Sequence, residues 1–294
     1  MIHAMALGTW TSRALLQWTS RHFERQGIDR PRLAAEMLLA HVLGVDRLRL
    51  YMEPDRPASE LERTAYRNLV ERAAAHEPVD YLVGQSPFFS MMLSVGPAVL
   101  IPRPSTETVL EHVIHHARHV LGFHAPLIAD IGTGSGAIAI GLARHLDQAK
   151  IVATDISPDA LKVARDNAVS YGVDSRIEFC LGDLLEPLGS RQFHYLVSNP
   201  PYISDEEWAN VAPNVKQQEP AIALRGGPDG LRFVRPLIEG AHRFLANPGQ
   251  LVLEVAASQK STVLQLAQQA KGLENAHVLV DHESLPRVLV VDRG

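Results

Sequence analysis

The sequence contains almost no cysteine and no segment that could anchor it in a bilayer. Cys180 is the single cysteine among 294 residues, so no internal disulfide can form, and we expect a reducing compartment. No apolar run reaches the roughly 18 residues that a membrane-spanning helix needs. The N-terminus also lacks the charged-then-apolar pattern of a signal peptide. We therefore expect a cytoplasmic protein with no membrane partner.

An excess of charge of one sign is also absent. The 28 Lys and Arg residues nearly balance the 33 Asp and Glu residues, which gives a formal net charge of −5. Because binding to nucleic acid depends strongly on basic residues that contact phosphates, we expect no direct nucleic-acid partner. The chain has 46% hydrophobic residues and is long enough to bury a large core. Composition therefore favours an ordinary enzyme.

The pattern of apolar residues predicts three regions. Residues 1–85 carry apolar positions at helical spacing and predict a small helical bundle. Residues 86–104 alternate like strands around Gly96-Pro97 and predict a β-hairpin linker. Residues 105–294 form the third region, which should open with a helix capped by Ser105 and ended by Gly122.

Short apolar runs alternate with helical stretches through the third region. Because such strands need crossover connections, the pattern predicts an α/β fold with a doubly wound, mostly parallel, seven-stranded Rossmann-like sheet. The predicted strands are 127–131, 151–154, 177–181, 195–198, 251–255, 277–280 and 288–291.

A glycine-rich turn follows the first of these strands and opens a helix. Its residues are Gly132, Thr133, Gly134, Ser135 and Gly136. Glycines allow a tight turn and a close approach of the backbone to a ligand, while a helix N-terminus favours a carboxylate. The shape of the motif alone does not choose the cofactor.

Two acidic residues follow the next two strands. Asp155 ends the second strand, where a carboxylate can bind both ribose hydroxyls of a nicotinamide or an adenosyl cofactor. Asp183 follows the third strand, where it could reach an adenine amino group while Leu184 covers the ring.

The fourth strand delivers Asn199, Pro200, Pro201 and Tyr202 to the same edge of the sheet. Proline has no backbone N–H, so this turn offers carbonyl acceptors, to which Asn199 adds a side-chain oxygen. Tyr202 offers a flat face for a planar amide or a nucleobase. Together with the glycine turn, this rim indicates methyl transfer onto a planar nitrogen.

At these residues the chain resembles the class I S-adenosylmethionine-dependent methyltransferases with an Asn-Pro-Pro-Tyr motif. Within them it is similar to the PrmC or HemK family, the glutamine methyltransferases of peptide chain release factors. The resemblance covers nearly the whole chain and rests on the helical bundle and on several short motifs. These are Tyr81-Leu82-Val83-Gly84, Leu100-Ile101-Pro102-Arg103-Pro104 with Glu107, the glycine turn, Asn199 to Tyr202, Glu219-Pro220 and Asp229-Gly230-Leu231.

The resemblance implies S-adenosylmethionine as the cofactor and a release factor as the protein partner. It implies that the glycine turn holds the methionine part, Asp155 the ribose, and Asp183 with Leu184 the adenine edge. The residues Asn199 to Tyr202 would bind the glutamine of a Gly-Gly-Gln motif, with Asn199, Pro200 and Tyr202 acting in catalysis. Asn199 would also be one of the residues that contact the cofactor. The family often has an aromatic residue at the Leu184 position and an acidic-Arg pair where this chain has Pro286-Arg287.

Two other methyl acceptors stay open. Glutamine methyltransferases of a large-subunit ribosomal protein share Asn-Pro-Pro-Tyr, but the continuation after Pro104 is closer to the release-factor branch. Adenine-amino methyltransferases would need a basic target-recognition region. Four neighbouring histidines, His112, His115, His116 and His119, lack a Cys or carboxylate partner at metal-site spacing, so we expect a solvated helix face and no metal.

Overall fold

The computed structural model describes residues 10–120 and 125–294. The chain divides into two compact units, Met1–Gly84 and Gln85–Gly294. Within the described ranges, none of the helices combines the length and the apolar character needed to cross a membrane.

The described part of the first unit consists of five helices joined by short loops. The Thr11 hydroxyl accepts a backbone N–H at the start of the first helix, and Ser59 with Glu62 forms a capping box at the start of the fourth. Its core is built from fully buried side chains such as Phe23 and Leu38. The helices are α1 (Ser12–Gln26), α2 (Pro31–Leu43), α3 (Arg47–Met52), α4 (Glu60–Ala74) and α5 (Val79–Val83).

A two-stranded hairpin, β1 (Gln85–Phe88) and β2 (Met91–Ser94), opens the second unit. The prediction of a turn at Gly96-Pro97 is wrong, because the chain reverses at Phe89 and Ser90 with φ of 44° and 59°. Non-glycine residues rarely adopt this left-handed conformation, so the sequence gives no sign of it. The Glu107 carboxylate accepts the Phe89 N–H at 2.8 Å and so fixes the turn.

The helix after the hairpin is α6 (Glu107–His119). The expectation that Ser105 caps this helix is wrong, because no side-chain cap is present and the Ser105 hydroxyl donates to Glu254 at 2.8 Å instead. Its predicted end, Leu121 and Gly122, lies outside the described residues.

The remaining elements of the second unit alternate between strand and helix. The strands are β3 (Leu127–Ile131), β4 (Lys150–Asp155), β5 (Ile177–Leu181), β6 (Phe193–Ser198), β7 (Ile203–Ser204), β8 (Arg225–Gly227), β9 (Leu245–Glu254), β10 (Leu273–Val280) and β11 (Pro286–Arg293). The helices are α7 (Ala137–His145), α8 (Pro158–Ser170), α9 (Asp205–Asn210), α10 (Pro213–Gln218), α11 (Val234–Ala241) and α12 (Lys260–Gln269).

A seven-stranded sheet in the order β10-β11-β9-β6-β3-β4-β5 forms the centre of this unit. Its strands are parallel except β11, which is antiparallel to both neighbours. Residues of α6, α7 and α8 pack on one face and residues of α11 and α12 on the other. The predicted fold class is therefore confirmed. In such a sheet the carboxyl ends of β3, β4, β5 and β6 meet at one edge, where ligands bind.

Candidate active site

A cavity of about 520 Å³ lies at this edge of the sheet. Residues that follow four neighbouring strands line it, and most of the predicted site residues are among them. These are Gly132, Thr133, Gly134, Ser135, Asp155, Asp183, Leu184, Asn199, Pro200 and Pro201. Gly136 and Tyr202 are not in the cavity wall.

The glycine turn forms the floor of the cavity. Gly132 and Gly134 have φ of 72° and 56°, and a Cβ added at either would meet no atom within 4 Å. The turn is tied to the sheet because the N–H groups of Gly132 and Thr133 donate to the Thr154 carbonyl at 2.8 and 2.9 Å. Gly136 differs, since a Cβ there would lie 2.9 Å from Ile140. Its missing side chain therefore permits close helix packing.

Asp155 joins the end of β4 to the glycine turn. Its Oδ2 accepts the Gly134 N–H at 2.9 Å, and its Oδ1 accepts the Ser157 N–H at 2.9 Å. The side chain is half-buried and lines the cavity. A carboxylate can accept about four hydrogen bonds, so two acceptor positions remain for a ligand.

Asp130 is a buried carboxyl group beneath the glycine turn that the sequence reasoning did not single out. Its Oδ2 accepts the Thr133 hydroxyl at 2.6 Å and the Ala139 N–H at 3.1 Å, while its Oδ1 has no partner among the described residues. Burial raises the pKa of Asp130 to about 7, and the two hydrogen bonds oppose this rise. The group therefore titrates near neutral pH in the folded chain.

The raised pKa of Asp130 predicts a pH-dependent stability. The pKa of Asp130 is about 7 in the folded chain and about 3.9 in the unfolded chain. The protonated side chain therefore contributes fully to the free energy of unfolding below pH 4, and this contribution is lost as the pH rises to 7. Urea unfolding should be measured for both proteins at pH 5 and at pH 8. Between these pH values, the free energy of unfolding of wild type should fall by about 2–3 kcal/mol more than that of Asp130→Asn. Parallel pH profiles for the two proteins would contradict this interpretation.

The far end of the cavity combines acidic and apolar side chains. Asp183 and Leu184 line it after β5, with Leu184 held at φ 44°. Two apolar residues that the sequence reasoning missed, Ile156 and Ile222, also line the cavity and are more than half exposed. Ile156 directly follows Asp155 at the end of a strand, and this position is the sequence signal that could have identified it as a site residue.

Asn199 leaves the end of β6 and enters the cavity wall. Its Nδ2 donates to the Thr106 hydroxyl oxygen at 3.0 Å. The strand end is fixed because the Ser198 hydroxyl donates to the Ile131 carbonyl at 2.6 Å. Pro200 is buried, and Pro201 is half-buried. No hydrogen bond from a described residue reaches Asn199 Oδ1.

Tyr202 lies behind this turn. Its hydroxyl donates to Glu254 at 3.3 Å, and its carbonyl accepts the Gln259 Nε2–H at 3.1 Å. Gly230 permits this arrangement, since a Cβ there would lie 2.4 Å from the Tyr202 carbonyl oxygen. Burial raises the pKa of the Tyr202 phenol well above its usual value, with the charge of Glu254 adding to the effect. Tyr202 is therefore a neutral donor that supports the turn from outside the cavity.

An ion pair with a buried carboxylate joins two other parts of the wall. Glu219, whose side chain is only 2% exposed, accepts from Arg103 at 2.6 Å and from the Ile101 N–H at 3.4 Å. Pro102 and Pro220, next to these residues, both line the cavity. The pair therefore holds the 100–103 segment against the 219–223 segment.

The expectation of a solvated histidine face on α6 is wrong for two of its four members. His112 is half-buried and bonded to Gln250 at 2.9 Å, and His116 is half-buried and bonded to the Tyr195 hydroxyl at 2.7 Å. Burial lowers the pKa of both imidazoles. Across residues 10–120 and 125–294, no group of three His, Cys, Asp or Glu side chains is arranged to hold a metal ion.

Two family models match separate parts of the chain. The PrmC N-terminal domain matches residues 14–84, and the methyltransferase small domain matches residues 104–227. The second match contains the glycine turn and the Asn-Pro-Pro-Tyr motif. A solved methyltransferase from Pyrococcus furiosus, 16% identical, superposes with a TM-score of 0.51 over 70% of this chain and 90% of its own. This likeness confirms the Rossmann-like methyltransferase fold.

Curated relatives match almost the full length. A release factor glutamine methyltransferase from Geobacter sulfurreducens is 38% identical over 95% of this chain and 96% of its own. Another from Rhodopirellula baltica is 36% identical over 97% of each chain. The resemblance seen in the sequence motifs is thereby confirmed, and the chain belongs to the release factor glutamine methyltransferase family.

Proposed function

We propose that the protein transfers a methyl group from S-adenosylmethionine to the side-chain amide nitrogen of the glutamine in the Gly-Gly-Gln motif of a peptide chain release factor. The observation that carries this proposal is the acceptor-rich rim formed by Asn199 and Pro200 in the cavity wall. Such a rim suits an NH2 group, and the family relationship supports a glutamine side chain as the source of that group.

The cavity residues fit an adenosyl cofactor. The open backbone of Gly132 and Gly134 can approach the methionine part closely, and Asp155 has acceptor positions left for two ribose hydroxyls. At the far end, Asp183 can accept from an adenine amino group while Leu184 and Ile156 cover the ring. When bound, S-adenosylmethionine supplies an electrophilic methyl group on a positively charged sulfur.

The rim then orients the acceptor amide. An amide nitrogen is a weak nucleophile because its lone pair is delocalised into the carbonyl. Asn199 Oδ1 and the Pro200 carbonyl accept its two N–H groups, so positive charge that develops on the nitrogen meets acceptors rather than donors.

No strong base is required at this rim. The nitrogen becomes far more acidic once it carries the methyl group, so it can release one proton afterwards. The residues that the structure shows lining the cavity include no His and no Lys. In this scheme Tyr202 and Pro201 keep the turn rigid.

We further propose that the helical unit before the hairpin recognises the release factor. A Gly-Gly-Gln loop is small and flexible, and its side chains offer few contacts beyond the glutamine. Affinity must therefore come from other surfaces of the folded partner. A release factor substrate also places the reaction in the cytoplasm.

Labelled-methyl transfer to four purified acceptors tests the function. A folded release factor, a short Gly-Gly-Gln peptide, a large-subunit ribosomal protein and DNA should be compared under identical conditions. We expect one methyl group on the Gly-Gly-Gln glutamine of the release factor, located by mass spectrometry, and a much slower reaction with the peptide. Label on DNA, or on the ribosomal protein but not on the release factor, would overturn the proposal.

A further inference from the structure

A buried carboxylate stands directly behind the predicted catalytic amide. Strands β6 and β9 are parallel neighbours in which Ser198 pairs with Leu253. Asn199 and Glu254 are the next residues on the two strands, so both lie at the same edge of the sheet. Glu254 has no exposed surface. Like Asp155 it stands at the end of a strand, yet its side chain is shielded from solvent.

Hydroxyl groups surround this carboxylate. Its Oε1 accepts from the Ser105 hydroxyl at 2.8 Å and from the Tyr202 hydroxyl at 3.3 Å. Its Oε2 accepts from the Thr106 hydroxyl at 2.5 Å. Burial raises the pKa of the Glu254 carboxyl, while these bonds and the charge of Arg287 oppose the rise.

The three hydroxyl groups set the hydrogen-bond directions in this network. Ser105, Thr106 and Tyr202 each donate to Glu254, as an ionised carboxylate requires, so the one O–H of Thr106 is directed at Glu254. Thr106 Oγ1 can then only accept from Asn199, and it does so from Nδ2 at 3.0 Å. The two ends of an asparagine amide have almost the same shape, so its partners decide its orientation. Asn199 therefore turns its NH2 group toward Thr106 and leaves Oδ1 for the cavity.

We infer that Glu254 and Thr106 are positioning residues that set the orientation of the Asn199 amide and thereby give the rim its acceptor character. The inference rests on the proposed function, because it explains how an amide NH2 is accepted there. If the Asn199 amide were reversed, its NH2 group would confront the substrate NH2 group, and neither could accept a hydrogen bond from the other.

The substitution Glu254→Gln tests the direction of the network. Ser105 and Tyr202 both donate to one carboxylate oxygen, so the new amide should keep its oxygen there and point its NH2 group at Thr106. Thr106 would then donate to Asn199 and turn the Asn199 amide around. We expect kcat to fall by about 10²-fold or more, in line with the loss of a preorganised polar contact, while the Kd for S-adenosylmethionine stays within about twofold.

Three threonine variants provide a second test and two matched controls. Thr106→Val removes the hydroxyl at constant shape and should lower kcat as Glu254→Gln does, whereas Thr106→Ser restores the hydroxyl and should recover most of kcat. Thr108→Val changes a buried threonine two positions further along the chain, whose hydroxyl has no partner among the described residues. It should leave kcat unchanged, which separates the network from a general effect on packing.

A spectroscopic readout separates this inference from the proposed function. With selective ¹⁵N-asparagine labelling, the side-chain NH2 signal of Asn199, assigned by its loss in Asn199→Ala, should shift in Thr106→Val and much less in Thr106→Ser. If wild type methylates no release factor, the proposed function fails, while this signal still tests the network. If Thr106→Val or Glu254→Gln is folded and has wild-type kcat, or if the Asn199 signal is unchanged in Thr106→Val, the inference is overturned.

Discussion

Replacement of Asn199 by alanine should reduce single-turnover methylation of a release factor by about 10²-fold or more, as loss of one preorganised polar contact typically does. The side chain lies in the cavity wall, and its only described hydrogen bond is the one that Nδ2 donates to Thr106. Truncation therefore removes the acceptor Oδ1 without disturbing the glycine turn or Asp155. The Kd for S-adenosylmethionine should stay within about twofold of wild type, because none of the proposed ribose or adenine contacts involves Asn199.

Rapid-quench measurement with excess enzyme isolates the methyl-transfer step from product release. Asn210→Ala, which truncates an exposed asparagine on α9, is the matched control and should react at the wild-type rate. A wild-type single-turnover rate for Asn199→Ala would remove Asn199 from the catalytic machinery. A parallel loss of cofactor affinity would instead assign it to cofactor binding.

The sheet was predictable because its central strands are buried on both faces. Such strands appear in the sequence as continuous apolar runs, and all seven predicted runs correspond to strands of the sheet. Their ends were less predictable. The predicted strand at 251–255 extends back to Leu245, where polar residues and Pro248 hide the strand pattern.

The parts of the site that the sequence missed depend on contacts between distant segments. Glu254 lies inside an apolar run, so the pattern marked it as part of a strand and not as a polar site. Its partners Ser105 and Thr106 are almost 150 positions away in the chain. Tyr202 and Gly136 do not line the cavity, although their motif neighbours do, and their roles in the site stay predictions. The structure shows that a motif can serve both a cavity and the packing behind it.

Replacement of Asp155 by alanine should weaken the binding of S-adenosylmethionine by about 10²-fold or more. A carboxylate that accepts two ribose hydroxyls makes two charge-assisted hydrogen bonds, each worth about 1.5–3 kcal/mol. The same side chain accepts the Gly134 and Ser157 N–H groups at 2.9 Å. The substitution therefore removes the proposed ribose contacts and also releases the glycine turn from the end of β4.

Titration calorimetry with both S-adenosylmethionine and S-adenosylhomocysteine distinguishes the origin of this loss. The two ligands share the ribose but differ in the charge on sulfur, so a ribose contact predicts equal losses for both. A loss confined to the charged ligand would instead indicate attraction between the Asp155 carboxylate and the sulfonium. Asp159→Ala removes an exposed carboxylate that lines the same cavity, and it should change either affinity by less than about threefold because exposed charges interact weakly through water. If the affinities of Asp155→Ala for the two ligands equal those of Asp159→Ala, the ribose must be held by other residues.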